Sequence, residues 1–139
     1  PNDIFLGGKK SGGILCESRV SGGLVKSMVI GIGLNINENI LDFPKSLKYK
    51  ATSFAIETRN SIQRELICAI IVTYFEQIIE NLQSCIEEWL KFCSHIEDLM
   101  TFKHNGSNYT GVFKGINKNG EALIEINNEI KAFPSIIIE

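Results

Sequence analysis

The 139-residue sequence lacks most of the features that sort a chain at a glance. No uninterrupted apolar run approaches the roughly 18 to 20 residues needed to cross a bilayer. The first residues show no charged-then-apolar leader pattern. Blocks of Lys or Arg are absent, and 14 basic against 16 acidic residues leave a formal net charge of −2. That balance argues against a nucleic-acid stripe or a patch for anionic membranes. There is no Cys-x-x-Cys pair: Cys16, Cys68, Cys85 and Cys93 are scattered. Buried or half-buried free thiols in a reducing cytoplasm are therefore the expectation. His95 and His104 have no partner at metal-ligand spacing, so a zinc site is not expected. An initiator Met is missing too. The chain starts at Pro1, and trimming or truncation is expected.

What is present suffices for a core. An apolar share of 44% and a charged share of 22% match soluble globular chains rather than disordered ones. The length suits one domain, or one compact domain with a small appendage. Residues 1–37 read as glycine-punctuated strands. A short run at Ile14-Leu15-Cys16-Glu17 and a second over 24–37 are joined by the turn 18–23, which predicts an antiparallel hairpin. Residues 38–60 read as loop, with a short helix over 52–56. Then Ile62, Leu66, Ile70, Ile71, Phe75, Ile78, Ile79 and Leu82 recur at three- and four-residue steps, the pattern of one helix face packed on a core. Asn60 or Ser61 can cap that helix, and Ser84-x-x-Glu87 makes a capping box for a second. From about Leu99 the turn signals Asn105-Gly106, Asn119-Gly120 and Asn127-Asn128 separate short strands. This predicts a small barrel that leans on the preceding domain for its core.

Three clusters carry chemistry: Pro1-Asn2-Asp3, then Lys10 with Gly13-Ile14-Leu15, then Gly31-Ile32-Gly33-Leu34-Asn35. Singly each is weak. Pro-Asn-Asp is usually a turn, and a lone lysine is usually a solvated charge. The Gly-x-Gly lacks the third glycine and following helix of a dinucleotide-binding turn, and no Gly-x-x-x-x-Gly-Lys loop occurs. In this order and spacing, however, the sequence resembles the bacterial biotin protein ligases. Their catalytic domain carries Trp-Pro-Asn-Asp, then a Lys-x-x-Gly-Ile-Leu strand, then a Gly-x-Gly-x-Asn strand end. The tail Lys114-Gly115-Ile116-Asn117-Lys118-Asn119-Gly120-Glu121-Ala122-Leu123 is similar to a hairpin of the family's C-terminal barrel. The family's Gly-Arg-Gly-Arg-type loop and the Trp before Pro1 do not occur here, so half of a catalytic site is expected.

The resemblance implies an α+β fold. A mixed or antiparallel sheet packed with helices over 1–98 is the C-terminal portion of a catalytic domain. A small Src-homology-3-like β-barrel over 99–139 follows. It implies a ligase that activates biotin with ATP to biotinyl-5′-adenylate and transfers it to a lysine of a biotin carboxyl carrier protein. The implied setting is the cytoplasm, without membrane or nucleic-acid partners through these residues, and with a homodimer among the family's assemblies. Joining a carboxylate to a polyphosphate brings two anions together. A fixed cation about 4 Å away offsets this by about 4 kcal/mol at an effective dielectric near 20. Lys10 is the residue the resemblance puts there, with Asp3 beside it as the second catalytic residue or a Mg²⁺ ligand. Asn2, Gly13, Ile14, Leu15, Gly31, Ile32, Gly33 and Asn35 are the implied binding residues. Bare glycine backbone would receive a flat ligand, Ile14, Leu15 and Ile32 would wall it, and Asn35 would offer a donor and an acceptor. A lipoate-type ligase of the same superfamily and a non-catalytic interaction module are the alternatives.

Overall fold

The computed structural model describes residues 2–138, with the side chains of Leu82 and Gln83 set aside. Pro1, the first residue of the Pro-Asn-Asp cluster, lies outside the described residues, as does the Leu82 side chain of the expected helix face. The chain divides into two compact units, one up to Ile70 and one from Ile71 onward.

The first unit holds a three-stranded antiparallel sheet in the order β1 (Asp3–Leu6), β2 (Lys9–Ser21), β3 (Leu24–Leu34). The expected hairpin is present and longer than the apolar runs indicate, because β2 reaches back to Lys9. Gly22 and Gly23 both take the left-handed backbone that a two-residue turn requires. The sheet leaves much apolar surface in the open: Leu15, Val29, Ile30 and Ile32 are all exposed. The fully buried side chains of this unit are polar instead, Ser11 in β2 and Thr52 and Ser53 in the connection after β3. Each is hydrogen-bonded, Ser11 to the Ile4 carbonyl, Thr52 to Glu57 and Ser53 to the Glu38 carbonyl. Buried hydroxyls are tolerated only when paired in this way. Ser53 also caps α1 (Phe54–Thr58) by accepting from the Ile56 amide.

The helix α2 (Arg64–Ile79) begins later than the caps read from sequence. Asn60 bonds to Thr58, and Ser61 lies against the side chain of Asn37, so neither starts it. Its apolar residues do not form the buried face expected of them. None is buried, and Leu66, Ile70, Phe75 and Ile79 are exposed. The capping box at Ser84 also gives way. Asn81 caps α3 (Leu82–Phe92) by accepting from the Ser84 amide, so Ser84 is already inside the helix. Cys16 and Cys68 are exposed rather than buried or half-buried, since the surfaces they sit on are open.

The second unit is a five-stranded antiparallel sheet, β4 (Leu99–His104), β5 (Ser107–Ile116), β6 (Ala122–Ile126), β7 (Glu129–Phe133) and β8 (Ile137–Ile138), in the order β7-β6-β5-β4-β8. The turn residues fall where expected: Asn105-Gly106 and Asn127-Asn128 join adjacent strands with left-handed backbone at both positions. The inner face buries Met100, Phe102, Phe113, Ala122, Ile124 and Phe133. Phe102 meets Phe133 edge-on at 5.0 Å and stacks with Tyr109 at 5.5 Å between ring centroids. Trp89, Cys93 and Ile96 pack against this cluster from residues before the sheet. The five strands form an open order, with no pairing between β7 and β8 among the described residues to close the expected barrel, and the sheet completes its core with residues outside 99–139.

Candidate functional site

The expected site residues meet on one face of the N-terminal sheet. Gly13 and Gly33 stand directly opposite one another in the β2–β3 ladder, and Gly31 opposes Leu15. Strand alternation therefore puts Gly13, Leu15, Gly31 and Gly33 on the same face. Ile14 and Ile32, also paired, alternate to the reverse face. Leu15 is the apolar side chain on the glycine side, and Ile14 and Ile32 contribute main chain there.

The glycines divide by physical role. A Cβ on Gly12 would lie 2.4 Å from the Gly33 carbonyl oxygen and 2.7 Å from Leu34 Cδ2, so the chain's own packing demands glycine there. A Cβ on Gly13, Gly31 or Gly33 would meet nothing nearer than 3.5, 3.7 and 3.9 Å, ordinary contact distances. None of the three has a left-handed backbone. Nothing in the fold requires these three to be bare. Together they form a flat floor, the kind of surface on which a ligand can lie against backbone.

Lys10 stands over this floor, although simple counting would place it elsewhere. Lys10 and Gly13 are three residues apart, which in a regular strand means opposite faces. The β1–β2 register skips one residue: Asp3 opposes Gly13, Ile4 opposes Gly12, and Phe5 opposes Lys10. Ser11 is the surplus residue of this β-bulge. Beyond it Lys10 shares a face with Asp3 and Gly13, and its Nζ lies 2.6 Å from Asp3 Oδ1. Both side chains stay about half exposed, 49% and 41%, so the ammonium is open to an incoming anion. The Lys10 main chain is held on its other side. Its N–H donates to the Lys50 carbonyl at 2.9 Å, and its carbonyl accepts from the Thr52 N–H at 2.9 Å.

Two concavities adjoin, and Lys10, Gly13 and Gly33 line both. The smaller, of about 460 Å³, has Asn2, Asp3, Leu15 and Gly31 around it. The larger, of about 960 Å³, is walled by Phe5, Asn35, Phe43, Leu47, Tyr49 and Lys50. Of these, Asn35 was expected, whereas Phe43, Leu47, Tyr49 and Lys50 from the connection after β3 were not legible in the sequence as site residues. Their only local signal is a pair of aromatics and lysines in a segment that otherwise reads as loop. Asn35 is partly committed: its Nδ2 donates to the Thr52 carbonyl at 3.0 Å, tying the end of β3 to that connection and leaving Oδ1 as its acceptor. Asn2 acts through its main chain, whose carbonyl accepts from the Ile14 N–H at 2.7 Å.

No group of three His, Cys, Asp or Glu side chains converges among the described residues, and the Asp3 carboxylate is taken up by Lys10. Among the described residues no helix is long and apolar enough to cross a membrane.

A fold of this kind, with a cationic side chain over a glycine floor and a small antiparallel barrel after it, is that of the biotin protein ligases. The biotin protein ligase from Aquifex aeolicus, solved in complex with biotin and ATP, superposes with a TM-score of 0.76 over 100% of this chain and 60% of that chain, at 22% identity. A crystal structure of biotin protein ligase from the same organism gives a TM-score of 0.68 at 25% identity, over 62% of that chain. In sequence, the chain is 33% identical over 144 aligned residues to the bifunctional ligase/repressor BirA of Bacillus subtilis (strain 168). It is 26% identical over 138 residues to BirA of Escherichia coli (strain K12). The chain spans 44% and 42% of these two proteins, less than half of each. No family model matches it.

Proposed function

We propose that this chain supplies the lysine-bearing part of a biotin protein ligase, which converts biotin and ATP to biotinyl-5′-adenylate and passes the biotinyl group to a lysine of a biotin carboxyl carrier protein in the cytoplasm. The observation that carries this reading is the Lys10 ammonium beside the Gly13–Gly31–Gly33 floor, lining both concavities.

In the first step a biotin carboxylate oxygen bonds to the α-phosphorus of ATP, the bond from that phosphorus to the bridging oxygen breaks, and pyrophosphate leaves. Lys10 lowers the repulsion between carboxylate and phosphate, an effect that acts most strongly where charge builds up. Asp3 holds the ammonium in place until the anions arrive. The glycine floor admits the flat ureido ring edge-to-backbone, with Leu15 as an apolar flank. The larger concavity, with its Phe43, Leu47 and Tyr49 wall, suits the adenosine. Mg²⁺ would arrive with ATP and offset part of its phosphate charge. In the second step the carrier amine attacks the acyl carbon, AMP leaves, and the new amide forms. We assign residues 1–98 to the catalytic domain and 99–139 to the barrel domain.

Calorimetric titration of the complete gene product with biotin and with lipoate tests this assignment. Saturable binding of biotin alone is the expected outcome, and binding of lipoate in its place would overturn it.

A further inference from the structure

We propose that Ser11 is the positioning residue for Lys10, an inference that rests on the role given to Lys10 above. Ser11 is the residue that the β1–β2 register skips. In the regular register Ser11 would oppose Phe5 and Lys10 would oppose Leu6, and a one-residue slip of this kind turns every side chain beyond it to the other face. Lys10 would then project away from Asp3 and from the glycine floor. The observed register is therefore a condition for the site to exist.

Ser11 is what fastens that register. Its side chain is completely buried, although the strand around it is largely open. Its hydroxyl donates to the Ile4 carbonyl at 3.2 Å, the residue opposite the bulge. Its own carbonyl accepts from the Asn35 N–H at 2.7 Å, which locks the bulge to the end of β3. The next residue, Gly12, is pressed so closely on the Gly33 carbonyl that no side chain fits. A polar hydrogen bond on one side and a steric stop on the other hold the surplus residue inward, and Lys10 outward. Removing the hydroxyl takes away this part-buried hydrogen bond at the bulge and brings the slipped register closer in free energy.

The test is a double-mutant cycle in the complete gene product, with pyrophosphate release reporting biotinyl-adenylate formation per folded molecule. The four proteins are the wild type, Ser11→Ala, Lys10→Ala and the double variant. Ser11→Ala should lower kcat about tenfold with little change in the KM for biotin, as a misaimed group does. In the Lys10→Ala background the same substitution should change kcat by less than about twofold, since no ammonium remains to be aimed. An equal loss in both backgrounds would mean a merely structural serine and would overturn the inference while leaving Lys10 intact. Wild-type kcat in Ser11→Ala would overturn it too. Wild-type kcat in Lys10→Ala would remove the reading of the site and this inference together. Should Ser11→Ala fail to fold, the cycle is read with Ser11→Cys, which keeps the volume and weakens the donor.

Discussion

The two sheets of this molecule are stabilised in opposite ways. The barrel sheet closes over aromatic and aliphatic side chains, with Phe102 and Ile124 fully buried. The N-terminal sheet keeps its apolar side chains in the open, and the deepest residues of its unit are Ser11, Thr52 and Ser53, with Ile36, Phe43 and Ala51 buried around them. One region is fixed by area removed from water, which is strong and non-directional. The other adds to a smaller buried apolar group, Ile36, Phe43 and Ala51, a set of buried hydrogen bonds, individually weak but specific in angle and register. A site that must aim one ammonium gains more from direction than from area, and it lies in the second region.

That contrast can be broken experimentally, most forcefully in the barrel. Phe102→Ala should cost about 3–5 kcal/mol, read by denaturant unfolding of the barrel signal, whereas Val29→Ser on the exposed hairpin should cost within about 0.5 kcal/mol. Equal costs would dissolve the distinction. Next in size, Lys10→Ala should lower biotinyl-adenylate formation about a hundredfold or more in a pyrophosphate-release assay, with little change in melting temperature. The glycines then separate packing from function. Gly31→Ala or Gly33→Ala should leave stability within about 0.5 kcal/mol yet weaken biotin binding about tenfold, measured by calorimetry. Gly12→Ala should instead lower the melting temperature, because its Cβ would overlap the Gly33 carbonyl.

The smallest expected effect concerns the barrel surface. Hydrogen bonds to Glu97, and then to Glu125, raise the Lys114 pKa above its usual 10.5. A raised lysine stabilises the folded form fully below its unfolded pKa, and the contribution fades as pH rises through the folded value. Lys114→Met should therefore lower the melting temperature slightly at neutral pH, and the gap should shrink in strongly alkaline solution. A gap that grows with pH would reverse the assignment.

Much of this architecture is written locally. Asn105-Gly106 and Asn127-Asn128 can take left-handed backbone at low cost, so the barrel hairpins follow from dipeptides. The β2–β3 hairpin follows from the apolar runs on either side of the turn at Gly22-Gly23. The proximity of Lys10 to the glycine strands was legible from motif order. Its face was not, because the bulge at Ser11 depends on a register chosen with β1, and strand alternation alone gives the wrong answer. Phe43, Leu47, Tyr49 and Lys50 were illegible for a related reason. They reach the larger concavity through a parallel bridge between Lys10 and Ala51, a long-range pairing with no periodic trace. The helix α2 shows the converse error, since its periodicity declares an apolar face without saying what, if anything, covers it.

The partition at Lys10 has a consequence for inhibitor chemistry. Two concavities share Lys10, Gly13 and Gly33, so a molecule with one arm in each would bring its second arm to an already concentrated partner once the first had bound. A short linker passing the ammonium and carrying a neutral isostere of the acyl phosphate would bind more tightly than either arm alone.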